Sequence, residues 1–360
     1  MEVKLPDFNP GIRVPGMDVL RIIACFMVMM VHSGEPFYIG DGGAIISENT
    51  FWVNTYGSLM RPCVPLFVMI SGYFLLPSKD NMPVFYKKRF GRILMPFLFW
   101  SVMYLVIPFV LGEYGIGQML INILKIGINF NDLSGHLWFV YMLIGLYLFI
   151  PVISPWIKNA SRKELHLFLL IWAITLFIPY VKIFFPEILG EAYWNPNSSG
   201  YYFTGFLGYL VLGYYVKKEI KWTRVKRTGI AVALVIAGYM VTSIGFAIRM
   251  KTAPSIAALE LTWTFTSFNV AMMTLGIFLL LEKMVITGEK IRNTLAKISS
   301  LTYGMYLAHL FFINFFHPLL TKAITNPMLV IPATAVLTFA CSFLLIKTLS
   351  YLPKSKYIVG

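Results

Sequence analysis

The chain has 360 residues, 58% of them hydrophobic and 13% charged, with a formal net charge of +14. Soluble domains carry roughly 25% charged residues, so this composition, with a mean hydropathy of +0.72, excludes a soluble globular protein and describes an all-α polytopic protein of a cell membrane. The positive charge does not point to nucleic acid, because the basic residues fall in short clusters between apolar spans instead of on a water-exposed face interleaved with aromatics.

Apolar stretches of about 17 to 25 residues cross a hydrocarbon core of roughly 30 Å. In chain order they fall near 15–35, 52–76, 93–112, 136–157, 165–185, 200–217, 228–249, 262–282, 299–320 and 326–350, which predicts about ten transmembrane helices. The run IGQMLINILKIGI (116–128) is too short to cross and carries Lys125 near its end; it is expected to be interfacial or re-entrant. With the N-terminus cytoplasmic, the outer segments hold only Lys125, Lys182, Arg249, Lys251 and Lys322, Arg21 and Arg61 fall within spans, and every other Lys and Arg lies on the inner side. A crossing at 116–128 would invert all later loops and destroy this bias, so ten helices with both termini cytoplasmic is the better arrangement. No loop has room for a soluble domain, which leaves one transmembrane domain over 1–360 with a core of about 15–350. Asp18 and Arg21 interrupt any signal-peptide apolar region, so the first span is expected to stay in the membrane. Cys25, Cys63 and Cys341 lie in apolar runs without paired spacing and read as buried thiols, with no metal site indicated.

The first span, MDVLRIIACFMVMMVH (17–32), keeps Asp18, Arg21 and His32. An Asp or Arg at mid-span costs roughly 2.5 to 3.5 kcal/mol on insertion scales, and such groups usually face a protein interior and mark function. Eleven helical steps separate Arg21 from His32, which places both on one face about 16 Å apart along the axis. Asp18, one turn before Arg21, leans to the same side and reads as its salt-bridge partner. A lone charge here would be read as snorkelling to the surface and a lone His as a satisfied interior group; the aligned set favours a device with an anion-binding cation at its inner end and an acid/base imidazole deeper in. Glu35 could orient His32 from the same face, although Pro36 follows and is expected to end the helix there.

These residues resemble a known family. DVLRIIACFMVMMVH, an Asp, then Arg, ten residues and His in the first span, is similar to the signature of the membrane acyltransferase 3 family, in the stand-alone form without an appended SGNH-type domain. VPLFVMISGYFL (64–75), YKKRFGRILMPFLFW (86–100), HLWFVYMLIGLYLFIP (136–151) and SSLTYGMYLAHLFFI (299–313) resemble family segments in family order. The resemblance implies transfer of an acyl group, commonly acetyl from acetyl-CoA, to an extracytoplasmic or lipid-linked sugar. It further implies that Arg89 and Arg92 join Arg21 on the phosphates of coenzyme A, and that His136, Trp138 and Tyr141 line the acceptor side.

Other readings stand beside these. Lys87 and Lys88, next to Arg89, serve equally as topology-setting charge or lipid contacts. His136 and Trp138 suit an aromatic belt as well as a sugar site. His309, one turn from Tyr306, is a second titrating group or a helix-bridging hydrogen bond. Ser71 is not in a nucleophile elbow, and its neighbour Gly72 fits close helix packing. Arg61, before Pro62, is a further site charge.

The expected activity is therefore O-acyl transfer, with His32, Asp18 and Glu35 as catalytic residues, Arg21, Lys88, Arg89 and Arg92 on the donor, and His136, Trp138, Tyr141, Tyr306 and His309 on the acceptor. Acetyl-CoA is the expected donor, with no metal and no nucleic acid. A carbohydrate or glycolipid is the expected acceptor, membrane lipids surround the chain, and a homo-oligomer or a separate extracytoplasmic partner stays open. The rivals are a polysaccharide or lipid-linked glycan transporter and a transferase for succinyl or another acyl group.

Overall fold

The computed structural model describes residues 13–48, 50–130, 132–185, 188 and 202–360, and Lys4 of the inner-side charges lies outside them. Helix α1 spans Pro15–Gly34, followed by a 3-10 turn at Glu35–Phe37. Helices α2 (Thr50–Met60) and α3 (Cys63–Leu75) make one span broken at Arg61 and Pro62. Then come α4 (Met82–Val110), α5 (Ile116–Lys125), α6 (Trp138–Asn159), α7 (Arg162–Thr175) and α8 (Ile178–Phe184). The second half has α9 (Leu207–Glu219), α10 (Arg224–Arg249), α11 (Ile256–Leu259), a 3-10 turn at Glu260–Trp263, α12 (Phe268–Leu281), α13 (Glu289–Thr321), α14 (Pro327–Leu349) and α15 (Lys356–Val359). Among the described residues the only β pairing is the isolated bridge Ile39–Ile45.

Seven segments are long and apolar enough to cross a membrane, and an eighth forms if the stretch from Ile256 to Leu281, bent by 41°, is taken as one span. The chain is a multi-pass membrane protein. The two further expected spans, 200–217 and 299–320, fall short for physical reasons. Helix α9 has 13 residues, against the roughly 20 needed. Helix α13 has 33, but His309, Asn314, His317 and its small polar residues dilute its apolar run. The 116–128 segment is a surface helix: α5 buries none of its residues and exposes Ile116, Leu120, Ile121 and Leu124, as an interfacial helix would.

Helix α1 is the centre of the bundle, packed against α3, α13 and α14. Met17, Leu20, Ala24, Cys25 and Met29 on it are fully buried. With lipid outside, such packing rests on close van der Waals contact and small residues. Gly72 and Gly213 show the demand: a Cβ on Gly72 would lie 2.0 Å from the Leu210 carbonyl oxygen and one on Gly213 2.1 Å from that of Met69, so α3 and α9 touch backbone to backbone. This is the structural role of the glycine in MISGY.

The basic inner loops also cap helices. Lys217 Nζ donates to the Tyr73 carbonyl at 2.8 Å, Lys283 Nζ to that of Ile220 at 3.2 Å, and Arg227 Nε to that of Leu279 at 2.6 Å. Each satisfies a carbonyl that a helix end leaves without an intrahelical partner. Both ends of the described chain lie at this same end of the bundle, since Arg13 sits beside Asp18 and the Trp100 indole donates to the Ile358 carbonyl at 2.9 Å.

Candidate active site

A cavity of about 620 Å³ opens beside the N-terminal half of α1. Arg13 and Arg21 from the α1 end, Arg89 and Arg92 from α4, and Ser299, Ser300 and Tyr303 from α13 line its polar part. Phe67, Ile70 and Ser71 from α3, Phe139 and Leu143 from α6, and Tyr306 from α13 line its apolar part. The Arg89 Nε and the Ser299 hydroxyl are buried without a hydrogen-bond partner. Four guanidiniums with spare donors at a partly dry mouth suit phosphate groups, which they can hold by charge-assisted, bidentate bonds.

Within this mouth the expected Asp18–Arg21 pair is present, with Arg13 as a second and closer partner of the carboxylate. Asp18 is buried and accepts from Arg13, Nε at 2.7 Å and Nη2 at 3.1 Å, while Arg21 Nη1 stays 3.7 Å away. Arg13 lies one residue before the helix-capping position, free to fold back on the carboxylate, and Arg21 turns toward Phe74, whose ring centre is 5.1 Å from its guanidinium carbon. Asp18 is therefore a spacer between two arginines, about four turns from His32, and its expected place among the catalytic residues is corrected. Lys88 is corrected too: it is exposed, pairs with Asp80 at 2.7 Å and does not line the cavity, whereas Arg89 and Arg92 do. Helical periodicity explains this, since Lys88 and Arg89 point about 100° apart.

Three turns above Arg21, His32 donates from Nδ1 to Glu35 Oε2 at 2.8 Å. A carboxylate only accepts, so this bond fixes the proton on Nδ1 and leaves the Nε2 lone pair as the basic site. Helix α1 ends at Gly34, and Glu35 with Pro36 starts a tight 3-10 turn. That turn, not a continued helix, brings the carboxylate back to the ring.

Two more histidines close around it. The His309 ring centre lies 5.1 Å from that of His32 and 4.9 Å from that of His136, and His136 lies 6.4 Å from His32. Both are buried. His309 Nδ1 donates to the Tyr306 carbonyl and His136 Nε2 to the Leu307 carbonyl at 3.3 Å, leaving His309 Nε2 and His136 Nδ1 without partners. The His309 bond thus lies within its own helix and does not bridge two helices, and its other ring nitrogen is buried without a partner. Among the described residues no group of His, Cys, Asp or Glu is arranged to hold a metal ion.

Tyr306 separates the two halves. It lines the cavity, yet its ring lies 5.7 Å from both His136 and His309, and its hydroxyl donates to the His136 carbonyl. Phe139 backs it at 5.4 Å. None of the three histidines lines the cavity.

Two expected sugar contacts are placed elsewhere. Trp138 is stacked on Phe265 at 5.7 Å and packs beside Phe206. Tyr141 donates to the Ile126 carbonyl at 2.6 Å and lies against Phe97 and Phe130, tying α6 to the end of α5. Both rings are held by their neighbours and lie away from the arginine-lined cavity. Ser71 donates to the Phe67 carbonyl at 2.9 Å and has no base beside it.

The sequence reading missed Arg13, Tyr303, Tyr38 and Glu260. Arg13 was assigned to topology, and only its five-residue distance from Asp18 hinted otherwise. Tyr38 donates to Glu260, more than two hundred residues away, a pairing with no local signal.

Comparison with known proteins fits this geometry. The family model described as an acyltransferase domain matches residues 14–347. Across 371 aligned positions the chain is 23% identical to YfiQ of Bacillus subtilis (strain 168), covering 96% of this chain and 93% of that protein, whose name provisionally calls it a membrane-bound acyltransferase. It is also 30% identical over 139 residues to a serine/alanine racemase of Enterococcus gallinarum and 29% identical over 134 residues to an amino-acid racemase of Enterococcus faecalis. Each racemase match covers only 18% of the racemase. No solved structure matches the chain. The chain belongs to the acyltransferase domain family, and it is an acyltransferase.

Proposed function

We propose that this membrane acyltransferase moves an acyl group, acetyl in the first place, from acyl-CoA on the arginine side of α1 to a hydroxyl of a carbohydrate or glycolipid on the histidine side. The observation that carries the reading is the cavity that four arginines line at the α1 end and that reaches Tyr306, whose ring lies against His136 and His309. Arg13, Arg21, Arg89 and Arg92 would hold the phosphates. The apolar walls would take the pantetheine arm, which is comparable in length to the roughly 16 Å between Arg21 and His32.

In the reaction, His32 Nε2 removes the proton of the acceptor hydroxyl as its oxygen attacks the thioester carbonyl. The C–S bond breaks, the new C–O bond remains, and the imidazolium returns its proton to the departing thiolate. Glu35 stabilises the imidazolium and holds its tautomer, as the third member of a catalytic triad does. The same nitrogen could instead take the acyl group first and pass it on. For the thioester to reach His32 on either route, the Tyr306 ring has to swing aside.

Mass spectrometry of surface glycans and glycolipids from cells with and without the gene tests the reaction. Loss of an acetyl increment in the deleted strain, restored by wild type and not by His32→Ala, is the expected result; full rescue by His32→Ala overturns it. A different mass increment would identify succinyl or another acyl group. Incubation of the purified protein with radiolabelled acetyl-CoA and no acceptor separates the routes, since label retained on the protein identifies an acyl-enzyme.

A further inference from the structure

The His32 side chain is 19% exposed and lines no part of the arginine cavity, so it is open on another side. Three breaks in regular helix are linked there: the 3-10 turn after α1, the interruption between α2 and α3, and the 3-10 turn before α12. Irregular backbone at membrane depth is tolerated only where protein buries it or where it lines a cavity. The first break carries Glu35 and, at its end, Tyr38; the second carries Arg61 and the third Glu260. Tyr38 joins the first to the third, since its backbone N–H donates to the Glu35 carbonyl at 3.1 Å and its hydroxyl donates to Glu260.

The two carboxylates are held alike. Glu35 accepts from His32 on Oε2, and Glu260 accepts on Oε1 from the Tyr38 hydroxyl and from Arg61 Nη2 at 3.5 Å. Among the described residues no hydrogen bond reaches Glu35 Oε1 or Glu260 Oε2, and the two side chains are 34% and 29% exposed. Beside them, three groups on buried side chains lack partners: Arg61 Nε, His309 Nε2 and His136 Nδ1.

A carboxylate fixed through one oxygen and open at the other takes a hydroxyl proton from a ligand by a charge-assisted bond, and unpartnered buried polar groups call for a ligand or water to meet them. Resting on the reading of His32 as the base, we infer that Glu260 is an acceptor-binding residue: its Oε2 takes a second hydroxyl of the sugar whose first hydroxyl His32 deprotonates. Tyr38 sets Glu260 one tyrosine side chain away from the Glu35 turn, a span comparable to a sugar unit. Two anchors at that spacing fix which hydroxyl meets the Nε2 lone pair. Arg61, its guanidinium carbon 4.1 Å above the Trp263 ring, holds Glu260 in place and offsets its charge. Glu35 stays without such an offset until His32 takes the proton, so the open side is net negative before reaction. Like charge across an interface is repelled, and the unit acylated is therefore a sugar without an acid group.

The test uses the full chain in lipid nanodiscs and the glycan and glycolipid extract of cells that lack the gene. Glu260→Gln keeps the shape and removes the charge. It raises the KM for the extract about tenfold, while acetyl-CoA affinity measured by calorimetry stays the same. An unchanged KM, or a parallel loss of acetyl-CoA affinity, overturns the proposal. Mass spectrometry of the product finds the new acetyl group on a sugar without an acid group; its appearance on a uronic acid overturns the proposal as well. A second measurement needs no turnover. In wild type, a water-soluble carbodiimide with glycine ethyl ester labels Glu260, and the extract suppresses this labelling whereas acetyl-CoA does not. Should Glu260→Gln fail to fold, this protection decides alone: absent labelling, or labelling that the extract leaves unchanged, overturns the proposal. Protection without acetyl transfer in wild type overturns the reaction and leaves the Glu260 assignment standing, and transfer with an unchanged KM and no protection does the reverse.

Discussion

At its inner end α1 borders open space edged with guanidiniums. Three turns further along, the His32 ring of the same helix lies beside those of His309 and His136. Arg13, Arg21, Arg89 and Arg92 come from two elements and hold one carboxylate, Asp18, among them, so most of their donors face the cavity. The histidines are instead fixed one by one, His32 by Glu35, His309 by the Tyr306 carbonyl and His136 by the Leu307 carbonyl. The difference fits the roles proposed for the two ends. Phosphates bring their own charge and are captured by cations with spare donors. A proton transfer depends on which nitrogen holds the proton, and that demands rigid, water-poor surroundings.

This contrast can be broken by experiment at four places, in falling order of effect. Glu35→Gln keeps the shape and removes the charge that holds His32, so kcat for acetyl transfer should fall by about 10²-fold while acetyl-CoA affinity, measured by calorimetry, stays the same; a pure loss of affinity would mean that the rigid end also binds donor. Arg92→Ala should do the opposite. The loss of one charge-assisted bond, about 1.5 to 3 kcal/mol, weakens CoA binding by roughly 10- to 100-fold with little change in kcat at saturation. Tyr306→Phe removes only the hydroxyl that ties the barrier to His136. At about 1 kcal/mol this shifts barrier opening by about fivefold, and it should show as a matching rise in acetyl-CoA hydrolysis without acceptor; an unchanged rate would show that the hydroxyl does not hold the barrier shut. Lys88→Ala should leave CoA affinity within about 0.5 kcal/mol of wild type, because its exposed pair with Asp80 lies outside the cavity; a tenfold loss would extend the donor site to the loop.

Much of this was legible in the linear sequence because it depended on periodicity. The hydropathy, the K/R asymmetry and the helical spacing from Arg21 to His32 are properties of a helix that crosses a membrane whatever its neighbours are. They placed the cation and the imidazole on one face before any packing was known. Glu35 was legible by its nearness and uncertain because of Pro36, and the 3-10 turn decided it.

Other features depended on which helices meet. Asp18 pairs with Arg21 as the spacing suggested, but its closer partner, Arg13, comes from outside the helix. Trp138 and Tyr141 had the chemistry for a sugar platform until Phe265 and the Ile126 carbonyl engaged them. His136, His309 and Tyr306 lie on α13 and before α6, far from His32 in sequence. Likewise, Arg61, Tyr38 and Glu260 converge from three separate breaks. The sequence by itself therefore determined the membrane class, the family and the axis of the site along α1, since each is written in local composition and helical period. Only the tertiary structure decided the place of Tyr306 against His136 and the partners of each ionisable group, because those contacts form between segments that no local period relates.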